Sequence, residues 1–246
     1  MQGVFVTGTG TGVGKSIVAA ALCAALVDAR RPVVASKPVL SGLEEPPGVW
    51  PYDHDLLALV TGQPADAIAP RRFGPAVSPH LAARLAHVRL TVDDLVGDVH
   101  ARVAAATGDA SNVGGQPAPA AHQGDLGPLA IVEGAGGLLV PLDDDGATMA
   151  DLAVALGLPL VIAAHPGLGT INHVQLTLEA ARSRGLTVAG VVLTPWPTQP
   201  SLIEQDNREF LEKSTGLPIL GLGTVESPRA DHLAAAGLAA GLTDLC

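Results

Sequence analysis

Short apolar runs and longer stretches of helical spacing alternate along the chain. Strand-like runs fall at Gly3–Thr7, Val33–Lys37, Leu129–Glu133, Leu160–Ala164, Val188–Leu193 and Ile219–Leu222. Helical patterns fall at Lys15–Arg30, Asp53–Thr61, Pro79–Ala86, Val92–Ala106, Met149–Leu156, Ile171–Arg184, Leu202–Ser214 and Arg229–Ala240. Such alternation predicts an α/β fold: a doubly wound, mostly parallel sheet with helices on both faces. Between Thr107 and Pro128 the chain is rich in Gly, Pro, Ala and Asn and has no period. The expectation there is an exposed, flexible loop inside one domain spanning residues 1–246, because the strand that follows is needed to complete the sheet. A domain boundary at this stretch is the competing arrangement.

The first strand feeds Thr7-Gly8-Thr9-Gly10-Thr11-Gly12-Val13-Gly14-Lys15-Ser16, and an Ala/Leu/Val helix follows at once. Strand, glycine loop and helix in that order make a phosphate cradle. Glycines let consecutive N–H groups converge on one anion, and the helix adds the positive end of its dipole. Lys15 would reach the outer phosphates and the Ser16 hydroxyl would ligate Mg2+. The spacing is longer than usual, since a strict phosphate loop requires glycine where this chain has Thr9. The dinucleotide fingerprint fails as well, at Val13. The expected architecture is therefore a P-loop fold that binds a nucleoside triphosphate.

Composition narrows the field. Of the 246 residues 48% are hydrophobic and 15% charged, enough for a sizeable core, and the apolar run near Ile17–Val27 is too short to cross a membrane. A net charge of −10 with 2% aromatic residues leaves no basic stripe and no stacking platform for nucleic acid. Cys23 sits within the first apolar helix and Cys246 ends the chain, a pattern that suits two thiols in a reducing cytoplasm. No charged-then-apolar leader opens the chain, in keeping with a cytoplasmic location. The eight histidines lack metal spacing, and no nucleophile elbow is present.

In a doubly wound sheet, ligands sit beyond the carboxyl ends of the strands. Lys37 ends the second strand, where it could neutralise phosphoryl charge or act as an ordinary strand-end lysine. Glu133 ends the next strand and is followed by Gly134-Ala135-Gly136-Gly137, as a Mg2+-holding carboxylate would be. A turn-capping role is the alternative. On the helix opened by Tyr52-Asp53-His54-Asp55, Asp53 reads as a cap and Asp55 as a candidate second Mg2+ ligand. Asn172, after Gly167-Leu168-Gly169-Thr170, could read a base edge or close a turn.

Together these segments resemble the dethiobiotin synthase family: Phe5–Ser16, Lys37-Pro38-Val39 with Ser41-Gly42, Ser78-Pro79-His80, Glu133–Pro141 and Gly169-Thr170-Ile171-Asn172-His173. The resemblance implies a homodimeric enzyme that uses ATP or another nucleoside triphosphate, with Mg2+, to join 7,8-diaminononanoate and CO2 into dethiobiotin. The implied route passes through a carbamate and a carbamic–phosphoric anhydride. It further implies that Gly12, Val13, Gly14, Lys15, Ser16 and Ile17 wrap the phosphates, with Gly134, Ala135 and Gly136 close by. Thr11, Lys15 and Lys37 would surround the carbamate and γ-phosphate, and Ser41 would touch substrate. Ser16, Asp55 and Glu133 would hold the metal, and Asn172 with His173 would lie at the base. Gly137, Leu138, Leu139 and Val140 would reach the partner subunit's substrate, whose carboxylate tail crosses the dimer interface. The chain departs from the family pattern at Gly10 and Gly12, where relatives often carry acids, and at Ser16, which keeps the hydroxyl of the commoner threonine. Two other readings remain: a related amide-forming ligase, and a nucleotide-driven switch that positions a partner.

Overall fold

The computed structural model describes residues 1–107 and 127–246. In chain order the elements are β1 (Gly3–Gly8), α1 (Lys15–Asp28), β2 (Val33–Ser36), β3 (Val39–Leu40), α2 (Asp53–Thr61), α3 (Ala65–Ile68), β4 (Arg71–Arg72), α4 (Pro79–Leu85) and α5 (Val92–Thr107). Then come β5 (Leu129–Glu133), α6 (Met149–Leu156), β6 (Leu160–Ala164), α7 (Thr170–Ser183), β7 (Val188–Trp196), α8 (Leu202–Thr215), β8 (Ile219–Gly223) and α9 (Ala230–Ala239). A single 3-10 turn at Leu242–Leu245 follows. The loop expected at Thr107–Pro128 falls, from 108 to 126, outside the described residues.

Six strands form one sheet in the order β2-β5-β1-β6-β7-β8, and every pairing is parallel. The P-loop strand β1 thus lies inside the sheet, flanked by β5 and β6. Alternation along β1 explains the two-faced core. Val4 and Val6 point to one side with Ile131, Val161 and Val192, and there they meet α1, α2 and α9. Phe5 points to the other side with Val132, Ile162 and Leu193, and packs against α5, α6, α7 and α8. Both sides of each central strand are therefore apolar, as the continuous runs Leu129–Val132 and Leu160–Ala164 require.

Helix α1 is buried almost all round because it lies between the sheet and α9. Its Ala19–Ala25 segment supplies small side chains, and Gly237 of α9 supplies none. A Cβ at Gly237 would stand 2.4 Å from the Ala21 carbonyl oxygen. A mid-helix glycine ordinarily weakens a helix. Here it permits the close crossing that holds α1, and with it the phosphate loop, against the sheet. Gly237→Leu should therefore lower stability by roughly 1–3 kcal/mol, read as a fall in the urea midpoint.

Beside the main sheet, β3 and β4 pair parallel as a two-stranded ribbon. It carries the chain from Lys37 past Ser41 and sets the outer wall of the site. Neither strand, nor the four-residue α3, has a period long enough to read from sequence. Among the described residues, no helix is long and apolar enough to cross a membrane.

Candidate active site

Between β1 and α1 the loop turns twice through the left-handed region, at Gly12 (φ 76°) and Gly14 (φ 86°). The long spacing from Gly8 to Gly14 closes on Val13, whose side chain folds back beneath the loop. A Cβ on Gly8 would lie 2.6 Å from Val13 Cγ2. Gly14 is also constrained from outside, because a Cβ there would stand 2.6 Å from the methyl of Thr194 on β7. The loop thus presents its backbone and keeps its side chains out of the way. Lys15, the first residue of α1, reaches back across it, and its Nζ donates to the Gly10 carbonyl at 2.8 Å.

Three other chain segments converge on this loop. Lys37 follows β2, and its N–H is fixed by the Ile68 carbonyl at 2.8 Å. Glu133 ends β5 opposite Val6 of β1, which places it beside the loop. Asp53 is the first residue of α2. Lys37 Nζ lies 2.5 Å from Glu133 Oε1, 2.7 Å from Asp53 Oδ2 and 3.2 Å from the Gly134 carbonyl oxygen. Ser16 Oγ donates to Glu133 Oε1 at 2.7 Å. Lys37 and Glu133 are buried, while Asp53 keeps a third of its side-chain surface exposed.

Burial and charge act against each other here. Burial alone would lower Lys37, but the charges of Asp53 and Glu133 outweigh it and hold the ammonium above the usual lysine range. Burial, then the Lys37 charge, lowers Lys15. The Glu133 carboxyl is pushed up by burial, with Lys37 pulling the other way. Burial raises Asp53 too, yet the charge and hydrogen bond of Lys37, together with a bond from Ser16, bring it below the usual carboxylate range.

A depressed carboxyl stabilises the fold above its unfolded pKa, about 3.9, and that contribution fades as pH falls through the lower folded value. The raised Glu133 works in the opposite sense. Asp53→Asn should therefore flatten the loss of stability below about pH 4 relative to the parent chain, as followed by thermal melts across that range.

Ser16, Lys37 and Asp53 of this cluster line one wall of a cavity of about 610 Å3, and Glu133 is buried behind them. Thr11, Gly12, Gly14, Lys15, Ser16 and Ile17 line its loop side, with Lys37 and Ser41 beyond them. Ala135, Gly136 and Val140 close the β5 side, while Leu40, Trp50, Leu56, Val77 and Pro79 give it an apolar flank. Ser41 Oγ donates to the Val77 carbonyl at 2.6 Å, tying the two edges together. Gly137 brings the second glycine loop against the first: a Cβ there would be 3.5 Å from the Gly8 carbonyl oxygen. Leu138 is buried in the core and Leu139 is half exposed.

Two expectations take a different place. Asn172 and His173 lie exposed on the first turn of α7, beyond β6, and do not line this cavity. They flank the phosphate loop from the opposite side to Lys37. The α2 acid in contact with Lys37 is Asp53, not Asp55. Asp55 is 47% exposed, its Oδ1 3.8 Å from His54 Nε2, and it does not line the cavity. The reason is helical: residues two apart point about 200° away from each other, so one helix end cannot present both acids to Lys37. The signal that favours Asp53 is a carboxylate at the helix N-terminus facing a strand-end lysine, a pairing that only the third dimension displays.

The donor set suits a hard divalent cation. Glu133 Oε2 is buried with no hydrogen-bond partner, and the Asp53 carboxylate and Ser16 hydroxyl lie around the same Lys37–Glu133 contact. Oxygen ligands in this number fit Mg2+, which keeps waters and phosphate oxygens for the rest of its shell. Among the described residues, no three His, Cys, Asp or Glu gather into an all-protein metal cage.

The family described as AAA domain matches residues 2–227. An ATP-dependent dethiobiotin synthetase from Anoxybacillus flavithermus is 36% identical over 222 residues, 90% of this chain and 90% of its own. One from Rhodococcus erythropolis is 37% identical over 218 residues, covering 88% and 86%. One from Saccharopolyspora erythraea is 39% identical over 249 residues, covering 98% and 97%. A solved cobyrinic acid a,c-diamide synthase from Mycobacterium smegmatis, with bound ADP and magnesium, aligns at a TM-score of 0.49 and 14% identity over 97% of this chain and 94% of that one.

Proposed function

The chain belongs to the AAA domain family and, within it, to the ATP-dependent dethiobiotin synthetases, and from that premise we propose how its residues divide the work. The observation that carries the reading is the meeting of Lys15, Ser16 and Lys37 on one wall of a cavity that also has an apolar flank, with buried Glu133 bonded to Ser16 and Lys37 behind that wall. The polar wall suits a triphosphate and a carbamate, and the flank of Leu40, Trp50 and Val140 suits the aliphatic chain of 7,8-diaminononanoate.

In this proposal the backbone N–H groups from Gly12 to Ile17 grip the phosphates, and Lys15 neutralises the outer ones. One amine of the diamine adds to CO2 and loses a proton, giving a carbamate whose oxygens the Lys37 ammonium and Thr11 hydroxyl orient. A carbamate oxygen then attacks the γ-phosphorus in line, and ADP leaves. The second amine attacks the carbonyl carbon of the resulting anhydride, phosphate departs and the ureido ring closes. The protein supplies position and charge, and needs no covalent intermediate of its own. Ser16 and Glu133, with an acid from the first turn of α2, would hold Mg2+, which when bound supplies further neutralisation of phosphate charge.

Asn172 and His173, on the far side of the phosphate loop, would meet the base. Half-exposed Leu139, between buried Leu138 and cavity-lining Val140, would reach a second copy in a homodimer. Unpaired Cys23 and Cys246 suit the cytoplasm. The deciding experiment incubates the protein with diaminononanoate, bicarbonate, Mg2+ and each of the common triphosphates. Dethiobiotin, phosphate and nucleoside diphosphate should appear in equal amounts. Phosphate release that proceeds unchanged without the diamine would overturn the reading.

A further inference from the structure

Each carbon–nitrogen bond of the proposed reaction forms at an amine that must lose a proton, once to join CO2 and once to close the ring. Some group has to take that proton where the substrate lies. The titratable side chains lining the cavity serve poorly. Lys15 and Lys37 are ammonium groups, which donate and do not accept. Asp53 is held by the Lys37 ammonium at 2.7 Å. Among the hydroxyls there, Ser16 is bonded to Glu133 and Ser41 to the Val77 carbonyl. Ser78 differs, because its Oγ lies 2.9 Å from Nδ1 of His80.

Ser78 immediately precedes α4, where a serine ordinarily turns its hydroxyl onto the helix's own N–H groups. It makes no such bond. Its hydroxyl instead joins two cavities. Ser78 lines the large one on the rim of Ser41, whose Oγ holds the carbonyl of the neighbouring Val77 at 2.6 Å. His80 lines a second cavity of about 170 Å3. The charged groups around that cavity are Arg84 of α4, Arg89 beyond it, and Asp143, Asp144 and Asp145 of the loop after β5. Arg84 pairs with Asp144 at 3.3 Å and Arg89 with Asp145 at 3.7 Å, while Asp143 Oδ1 accepts from the Asp145 and Ala147 N–H groups. The side chains of Arg89 and Asp145 are each 81% exposed, so the small cavity opens to water.

We propose that Ser78 and His80 form a proton relay that takes the proton of the substrate's attacking amine and passes it from the large cavity to the small one. This rests on the reaction proposed above. In ring closure the amine lone pair forms the new carbon–nitrogen bond, and the bond from carbon to the phosphate oxygen breaks, its electron pair leaving on phosphate. The amine proton moves to Ser78 Oγ as the Ser78 proton moves to His80 Nδ1. Serine ends neutral, histidine becomes imidazolium, and water in the small cavity takes the proton. Histidine suits this post because imidazoles exchange protons near neutral pH. The relay uses the tautomer with hydrogen on Nε2, which leaves Nδ1 to accept. Ser78 touches the amine, and His80 acts through it.

Dethiobiotin formation is followed across the pH range for the parent, His80→Asn, Ser78→Ala and Ser78→Thr. Asparagine keeps a polar partner for Ser78 but takes no proton. His80→Asn and Ser78→Ala should each lose turnover on the order of 100-fold at about pH 7. The gap should narrow by about tenfold near pH 9.5, where hydroxide replaces the missing base. Ser78→Thr keeps a hydroxyl and should stay close to the parent. Rates are read as the ratio of variant to parent at each pH, so titration that both share, as of Lys15 or the charges around His80, cancels. Calorimetry with Mg2+·ADP should give the parent affinity for every variant. A loss equal at every pH, or one that tracks weakened Mg2+·ADP binding, assigns the pair a structural role and refutes the relay while the reaction stands. So does parent turnover in His80→Asn or Ser78→Ala. If the parent itself makes no dethiobiotin, both fall.

Discussion

Lys37→Gln should cut turnover on the order of 100-fold or more while leaving Mg2+·ADP affinity undiminished. In the proposed reaction the nucleotide's phosphates meet the loop from Gly12 to Ile17, including Lys15, none of which the substitution touches. What it removes is the cation that lines the cavity from the β2 end, where the proposed reaction puts the substrate. The loss should fall in kcat more than in KM for the triphosphate, because in the proposed reaction the charge that Lys37 meets grows as the phosphoryl group moves onto the carbamate. Steady-state kinetics with calorimetry on the same preparation separate the two quantities. Undiminished turnover would remove Lys37 from the reaction.

Glu133→Gln should act on metal and fold together. With its charge gone, Mg2+·nucleotide affinity should fall on the order of 100-fold, and the Mg2+ concentration for half-maximal rate should rise in step. Lys37 would keep Asp53 but lose a buried counter-ion at 2.5 Å. Breaking a buried pair from one side costs about 3 kcal/mol, so the metal-free variant should also unfold at lower urea. A metal requirement unchanged from the parent would take Glu133 out of the site. A fall in stability without that change would leave it a purely structural counter-ion.

Much of the architecture was legible because its signals are periodic or terminal. The runs Leu129–Glu133 and Leu160–Ala164 and the helices Asp53–Thr61 and Met149–Leu156 have the bounds their hydrophobic pattern predicts. Gly62 and Gly157, in the left-handed region, mark where the two helices stop. Strand β7 runs on to Trp196, three residues past the apolar run, because Trp196 rejoins the ladder opposite Gly223 after a register shift that the apolar pattern does not encode. The ribbon of β3 and β4 pairs residues more than thirty apart through two-residue strands, and no local pattern encodes that.

The site divides along the same line. Lys15, Ser16, Lys37 and Glu133 end or begin strong elements, and the rule that ligands gather at strand ends was enough to group them. Asp53 was read as a cap because a helix-opening aspartate usually is one. What separates it from Asp55 is the rotation of α2 about its own axis relative to Lys37, which depends on Leu56, Leu57 and Val60 packing beneath it. The apolar flank was invisible for a similar reason. Trp50 precedes α2, while Val77 and Pro79 lie at the start of α4, and the two segments share a surface only in the folded chain.

Where the Thr194 methyl fills the room that any side chain at Gly14 would need, the tip of β7 and the glycine loop become one mechanical part. A designer who enlarged the side chain at residue 194 would be pressing on the loop at the same moment, and variants with such a change ought to need relief near residue 14.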